Sequence, residues 1–159
     1  MAIKKTNAAR LLDSKKISYE IIEYEVDEND LSASTLASKL EQKADQVFKT
    51  LVLRGNANGI FVIAIPGDSE IDLKKAAKIS GNKSVAMVHM KELPGLTGYI
   101  RGGCSPLAMK KDFPVFIHES CRKHRHIYIS AGKRGLQLKL APADLINCTK
   151  ATIADLIET

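Results

Sequence analysis

The apolar residues of this chain fall into short stretches whose period changes along the sequence, helical in some places and two-residue in others. Ala8, Leu11 and Leu12 recur at the i, i+3, i+4 spacing of one buried stripe over Asn7 to Lys15, and Thr6 stands where an N-cap hydroxyl is wanted. Ser18 to Val26 reads as a strand and runs into an acidic, polar loop from Glu25 to Asp30. Ser32 or Ser34 then opens a second helix that turns Leu36, Ala37 and Leu40 inward. Val47 to Arg54 and the apolar run Ile60 to Ile65 predict a hairpin, because the connector Gly55-Asn56-Ala57-Asn58-Gly59 tolerates the positive φ that such a turn needs. Pro66-Gly67-Asp68 turns the chain, and Ser69 is expected to cap a third helix through Lys78, apolar at Ile71, Leu73, Ala76, Ala77 and Ile79. Short strands follow at Val85 to Val88, Val115 to His118, His126 to Ser130 and Leu136 to Leu140, with a closing helix over Thr152 to Ile157. Hairpins interspersed with helices, without regular βαβ alternation, predict a mixed α+β (α/β) fold. Its sheet is expected to be mostly antiparallel, or a partial barrel, flanked by helices.

Length and composition narrow the class. With 159 residues, 45% of them hydrophobic, the chain can bury a core, and one domain over 1–159 is expected. The opening Met1-Ala2-Ile3-Lys4-Lys5-Thr6 is basic but has no apolar run behind it, and no later segment approaches membrane-spanning length, so neither export nor insertion is expected. Cys104, Cys121 and Cys148 are odd in number and widely spaced, which argues against a disulfide framework and for a reducing cytoplasm.

The net charge is +6, and it is regional. Tyr99 to Lys150 carries ten Lys and Arg against three Asp and Glu, while the rest of the chain is nearly balanced. Such a face suits an anionic partner, although a solvated basic surface has the same composition.

Four segments carry candidate chemistry. Lys49 lies in the strand Val47-Phe48-Lys49-Thr50-Leu51-Val52-Leu53, where alternation puts it on the side of Val47, Leu51 and Leu53. An ammonium there either snorkels to an edge or lines a cleft that holds an anionic or polar substrate. In Thr97 to Pro106 the pair Gly102-Gly103 allows close approach of the backbone to a ligand, and freed N–H groups can hold a carbonyl oxygen or phosphate; a plain turn has the same pattern. Ser130-Ala131-Gly132-Lys133-Arg134-Gly135 is a second glycine loop with adjacent cations. Cys121 to His126 has metal-like Cys and His spacing, but the flanking Arg122, Lys123 and Arg125 disfavour a dication and no second set completes a site. Cys104 next to Ser105-Pro106 reads as a small buried residue, with His89 and His118 as the histidines a nucleophile would call for.

Taken together, Phe48-Lys49-Thr50-Leu51, Gly102-Gly103-Cys104-Ser105-Pro106 and Ser130 to Gly135 occur in the order and rough spacing of the YbaK/EbsC family, relatives of the prolyl-tRNA synthetase editing domain, which the chain resembles over nearly its whole length. Tyr24 and Ala141-Pro142-Ala143-Asp144-Leu145 add to the likeness. The resemblance implies an editing-domain fold whose pocket takes the terminal adenosine of tRNA with its esterified amino acid. It implies trans-editing of Cys-tRNA(Pro), and also Cys-tRNA(Cys), with the substrate thiol attacking its own ester to release a cyclic thiolactone. Lys49 matches the functional lysine, and Gly102 to Pro106, with Gly103, Cys104 and Ser105, match the loop whose amides position the scissile carbonyl. Tyr24, Thr50, Ser130 and Gly132 match further pocket positions, with Lys133 and Arg134 beside them. Gln137 departs from the acidic residue of some relatives, which leaves that position and the amino-acid preference open. No cofactor, metal, membrane or DNA is implied; the partners implied are aminoacyl-tRNA and prolyl-tRNA synthetase. A deacylase for alanine on the same tRNA, or a non-catalytic tRNA- or synthetase-binding module, are the competing readings.

Overall fold

A computed structural model describes residues 5–159. Met1 to Lys4, part of the basic opening, lie outside the described residues.

Helix α1 (Asn7–Ser14) starts where Thr6 Oγ1 accepts the Ala9 N–H, and Ala8, Ala9 and Leu12 form its buried stripe. Strand β1 (Glu20–Glu23) is shorter than the pattern suggested. Helix α2 (Ala33–Lys39) is capped by Ser32, whose Oγ accepts the Thr35 N–H. Strands β2 (Phe48–Gly55) and β3 (Gly59–Pro66) form the expected hairpin, paired from Phe48 with Pro66 to Gly55 with Gly59. Its connector is fixed from outside: the buried Asn82 accepts the Ala57 and Asn58 N–H groups on Oδ1 at 3.0 and 2.8 Å.

Helix α3 (Leu73–Ser80) is capped by Asp72, whose Oδ1 accepts the Lys74 and Lys75 N–H groups, and not by Ser69. Ile71 is therefore outside the helix, in an antiparallel bridge with Ile157. Strand β4 (Val85–Met87), the short helix α4 (Leu93–Thr97), and strands β5 (Val115–His118), β6 (Ile127–Ser130) and β7 (Leu136–Leu140) follow. Helix α5 (Pro142–Thr149), opened by its N-terminal proline, was not predicted as a helix.

The closing segment, expected as a helix over Thr152 to Ile157, is not helical. Strand β8 (Thr152–Ala154) adds to β5 in parallel, Phe116 opposite Thr152 and His118 opposite Ala154. Two physical reasons favour this outcome: a lone six-residue helix cannot recover its nucleation cost, and the free edge of β5 offers a complete ladder to β-branched Thr152 and Ile153.

The strands form two sheets that do not close into a barrel. One is antiparallel, in the order β1-β7-β6; the other, β4-β2-β3-β5-β8, is antiparallel at β4, β2 and β3 and parallel from β3 through β5 to β8. Half of the larger sheet is thus parallel, more than the hairpin pattern implied. Among the described residues a parallel bridge, Val47 to Tyr128, joins the sheets. One core, with Leu12, Ile117, Ile129, Leu138 and Leu145, joins residues of α1 and α5 to both sheets; a second, with Leu53, Phe61, Ile63, Ile65 and Leu156, includes Ala76 of α3.

Candidate functional site

The pairing of β2 creates the site. Its C-terminal half pairs with β4 from Leu53 to Gly55, and Val47 bridges to Tyr128 of β6. Between these contacts Phe48 to Leu51 have no strand partner on that side among the described residues, and a cleft of about 660 Å³ opens there. Because the edge is open, Lys49 from one face of β2 and Thr50 from the other both line it. Lys49 stands opposite Ile65, on the face carrying Leu51 and Leu53, as alternation requires. It is half-buried, with Nζ 3.5 Å from the Gly67 carbonyl oxygen, and thus lines a cleft instead of snorkelling into open solvent.

Of the residues singled out in the sequence, the structure brings Tyr24, Lys49, Thr50, Gly102, Cys104, Ser130 and Gln137 together in this cleft. Ser130 and Gln137 are cross-strand partners on β6 and β7. Gly103, Ser105, Pro106, Gly132, Lys133 and Arg134 lie outside the lining, and their contacts show why. The Gly103 N–H is donated to the Ile100 carbonyl at 3.0 Å, closing a turn, so it is not free for a ligand. Ser105 is fully buried, its Oγ accepting the Leu107 N–H. Lys133 and Arg134 back the Gly102-Gly103 loop: a Cβ on Gly103 would meet their backbone at 3.2–3.3 Å. Gly132, at φ +97, leaves no room for a side chain, since a Cβ there would stand 2.8 Å from the Tyr99 ring. Among the described residues the amides of Gly102 and Cys104 meet no acceptor, which leaves them as the donors this loop offers the cleft.

Two buried polar atoms of the lining are unpaired. Among the described residues Thr50 Oγ1 and Gln137 Oε1 have no hydrogen-bond partner, although Gln137 is only 2% exposed. Leaving such atoms unpaired costs about 1–3 kcal/mol each, so a fold keeps them only where something else supplies a partner or where function requires it.

Nothing in the structure activates Cys104 as a nucleophile. Burial pushes its thiol up to about 12, which favours the protonated form at neutral pH. Neither histidine serves it as a base: the His89 ring accepts the Lys91 N–H and His118 accepts the Leu156 N–H, and neither lines the cleft. Cys121 is buried in the core, and among the described residues no group of three His, Cys, Asp or Glu is placed to hold a metal ion.

Sequence reasoning missed most of one wall. Asp27, Asp30, Leu31, Thr35, Leu36 and Glu70 line the cleft alongside Lys39 and Arg101. The segment read only as an acidic loop is in fact pinned. Asp27 accepts the Asn29 N–H, and Asp30 accepts the Ser32 N–H and the Thr35 hydroxyl, bonds that lower its carboxyl below its usual range. The run Asp27, Asn29, Asp30, Ser32 was the available signal, a density of turn-forming side chains too high for a slack linker. The basic half of the chain gives the cleft only Arg101; five carboxylates line it against three cations.

The model of the aminoacyl-tRNA editing domain matches residues 27–148. The chain is 46% identical over 153 residues, 96% of its length and 93% of the relative's, to EbsC of Enterococcus faecalis, a protein whose name gives a provisional assignment as a Cys-tRNA(Pro)/Cys-tRNA(Cys) deacylase. The chain belongs to the aminoacyl-tRNA editing domain family. Among solved structures it superimposes at TM-score 0.88 and 22% identity on the hypothetical protein APE2540, covering 96% of this chain and all of that one. It also superimposes at TM-score 0.84 and 22% identity on a provisionally assigned trans-editing enzyme for prolyl-tRNA synthetase, covering 98% of this chain and all of that one. These structures establish that the two-sheet arrangement is the editing-domain fold. No described helix is long and apolar enough to cross a membrane.

Proposed function

We propose that this editing domain acts as a single free-standing unit in the cytoplasm and hydrolyses the aminoacyl ester of mischarged tRNA, with Cys-tRNA(Pro) as the substrate and Cys-tRNA(Cys) also accepted. The observation that carries this reading is the pair of unpaired buried polar atoms, Thr50 Oγ1 and Gln137 Oε1, in the same cleft as half-buried Lys49. They suit a ligand with several hydrogen-bonding groups, as an esterified amino acid on a ribose has.

In this reading the Gly102 and Cys104 amides hold the scissile carbonyl and donate to the oxyanion as charge develops on it. Lys49, set 3.5 Å from the Gly67 carbonyl, faces the adjoining anionic end of the RNA. The substrate's own thiol attacks the ester carbon; the ester C–O bond breaks, the thiol proton passes to the departing ribose oxygen, and free tRNA and a thiolactone leave, the thiolactone then being opened by water to free cysteine, which completes the hydrolysis. A thiol held against its ester gains from proximity alone, so the cleft's contribution is geometry. The protonated Cys104 thiol is consistent with that division of labour. The cleft has few means of reading the tRNA body, so selectivity for the tRNA comes from a partner, prolyl-tRNA synthetase.

The test is ester loss from Cys-tRNA(Pro), Ala-tRNA(Pro) and Cys-tRNA(Cys) with wild type and Lys49→Ala. Loss of the cysteinyl esters, abolished by the substitution, supports the reading. Cleavage of the alanyl ester alone moves the specificity to alanine, and no cleavage even with prolyl-tRNA synthetase leaves a non-catalytic module.

A further inference from the structure

A second cavity lies at the end of β5. It has a volume of about 330 Å³ and is lined by His118, Glu119, Ser120, Arg122 and Lys123. None of these residues belongs to the cleft.

Its chemistry is that of a donor-rich recess. His118 is 6% exposed and accepts the Leu156 N–H on Nδ1 at 3.2 Å, which puts the proton of the neutral ring on Nε2. Nε2 is then a donor, and it makes no hydrogen bond among the described residues. The Ser120 hydroxyl is buried and has no partner among the described residues. Arg122 and Lys123 are exposed and form no ion pair among the described residues, and Arg125 follows within the same basic run. Glu119 is the one carboxylate in the lining, outnumbered by the two cations. Unpaired donors of three kinds around one recess fit a tetrahedral oxyanion.

Its position relates it to the cleft. Lys49 pairs with Ile65, and Ala64 pairs with Ile117, so Lys49 and His118 share a row across the sheet, two strands apart. Adjacent strands lie about 4.8 Å apart, which puts the two Cα atoms roughly 10 Å from each other. Lys49 at the start of β2, Pro66 at the end of β3 and His118 at the end of β5 lie at the same end of the sheet, so the two recesses are lined from that end.

We propose that this cavity is a phosphate site for the RNA strand of the substrate, holding a backbone phosphate near the 3′ end while the esterified amino acid occupies the cleft. The proposal rests on the reading of the chain as a tRNA-binding editing enzyme. It also assigns a location to the regional basicity, of which the cleft itself uses only Arg101.

The experiment measures binding of deacylated tRNA by fluorescence anisotropy over a salt series. It compares wild type, Arg122→Ala/Lys123→Ala, Ser120→Ala and a control, Lys110→Ala/Lys111→Ala, and follows the His118 ring by NMR as inorganic phosphate is added. Removing the two cations should weaken tRNA binding about tenfold and reduce the salt slope by about one to two. Ser120→Ala should weaken binding about threefold with the slope unchanged, because a hydroxyl carries no charge. The control should lose less than the Arg122/Lys123 variant, and phosphate should shift the His118 resonances. Equal losses in both double variants with Ser120→Ala at wild-type affinity mean diffuse charge, and overturn the proposal. A His118 shift with phosphate but undiminished tRNA affinity in every variant means a free-anion site only, and also overturns it. Loss of tRNA affinity in the Arg122/Lys123 variant of a wild type that cleaves no ester would sink the catalytic reading and leave this site standing.

Discussion

Arg134 donates its Nε–H to the Arg101 carbonyl at 2.8 Å, and the same guanidinium donates from Nη1 to Glu28. One side chain thus joins the second glycine loop to the first and both to the acidic segment that walls the cleft. The Gly102 backbone lies under it, with room for a Cβ only 3.1 Å from Nε. Arg134 touches no cleft surface, yet it sets where the Gly102 and Cys104 amides stand.

Arg134→Met should therefore lower kcat/KM for ester cleavage about tenfold, since small displacements of a positioning group are costly. Stability should fall by no more than about 1 kcal/mol, because the ion pair is partly exposed and its partner Glu28 more so. Glu28→Gln, which keeps the Arg101 contact, should fall much less in activity. Activity assays beside thermal melts separate the outcomes, and a Met variant with wild-type kcat/KM would reduce Arg134 to a surface clamp.

Lys49→Ala should cut kcat by roughly 100-fold or more, because the RNA end that carries the ester is no longer held in register with the loop amides, while tRNA affinity, spread over many contacts, changes less than threefold. Lys49 is half-buried in a cleft and no folded contact depends on it beyond the Gly67 carbonyl, so the melting temperature should hold. Parallel loss of affinity and turnover would mean that Lys49 serves binding alone.

Much of this was legible because short-range physics decided it. The hairpin of β2 and β3 follows from alternation and a Gly-Asn connector, and the caps at Thr6 and Ser32 follow from hydroxyl placement. The same alternation put Lys49 on the face of Leu51 and Leu53, but that a cleft opens beside it was not decided by alternation. What sequence left open was long-range. Whether Ile153 pairs with Ile117 or joins a helix depends on a strand 36 residues earlier having a free edge. That Arg134 is tied to the first glycine loop depends on Arg101 and Glu28 arriving beside it, which no local spacing encodes. Asp72 displaced Ser69 as the cap of α3 because Ile71 is drawn into the bridge with Ile157.

Asn82 should be a stability residue without a role in turnover. Its Oδ1 serves two backbone N–H groups of the hairpin connector, so Asn82→Ala should cost about 2 kcal/mol through unpaired, partly buried donors. Denaturant melts should show the loss, while kcat per folded molecule stays at the wild-type value; a fall in kcat would link the hairpin tip to the cleft.

His118 gives the fold a pH dependence of defined sign. Burial holds its pKa below the ordinary 6.5, against the opposing pull of Asp155 and Glu119. The unfolded chain then binds the proton more readily, so stability is full above about pH 6.5 and falls as pH drops from there through the lowered folded value. Melts of wild type between pH 7.5 and 5 should lose stability more steeply than those of His118→Asn. Equal slopes would mean that other groups dominate this range.

The sharpest test of the cleft uses Thr50→Val, which keeps the shape and removes the hydroxyl. If Thr50 Oγ1 were part of the fold's own bonding, its removal would destabilise; it has no partner, so the change should be neutral or stabilising by up to about 1 kcal/mol. Turnover should move the other way, falling tenfold or more, because in the proposed complex the hydroxyl has a substrate partner that valine cannot replace. Gain of stability with loss of activity is the signature of a polar group kept for a ligand. Stability and activity that both hold would mean that the cleft's unpaired atoms are incidental. A loss of both would mean that Thr50 has a partner in solution that belongs to the protein itself, and the substrate's place in the cleft would have to be sought around Gln137 instead.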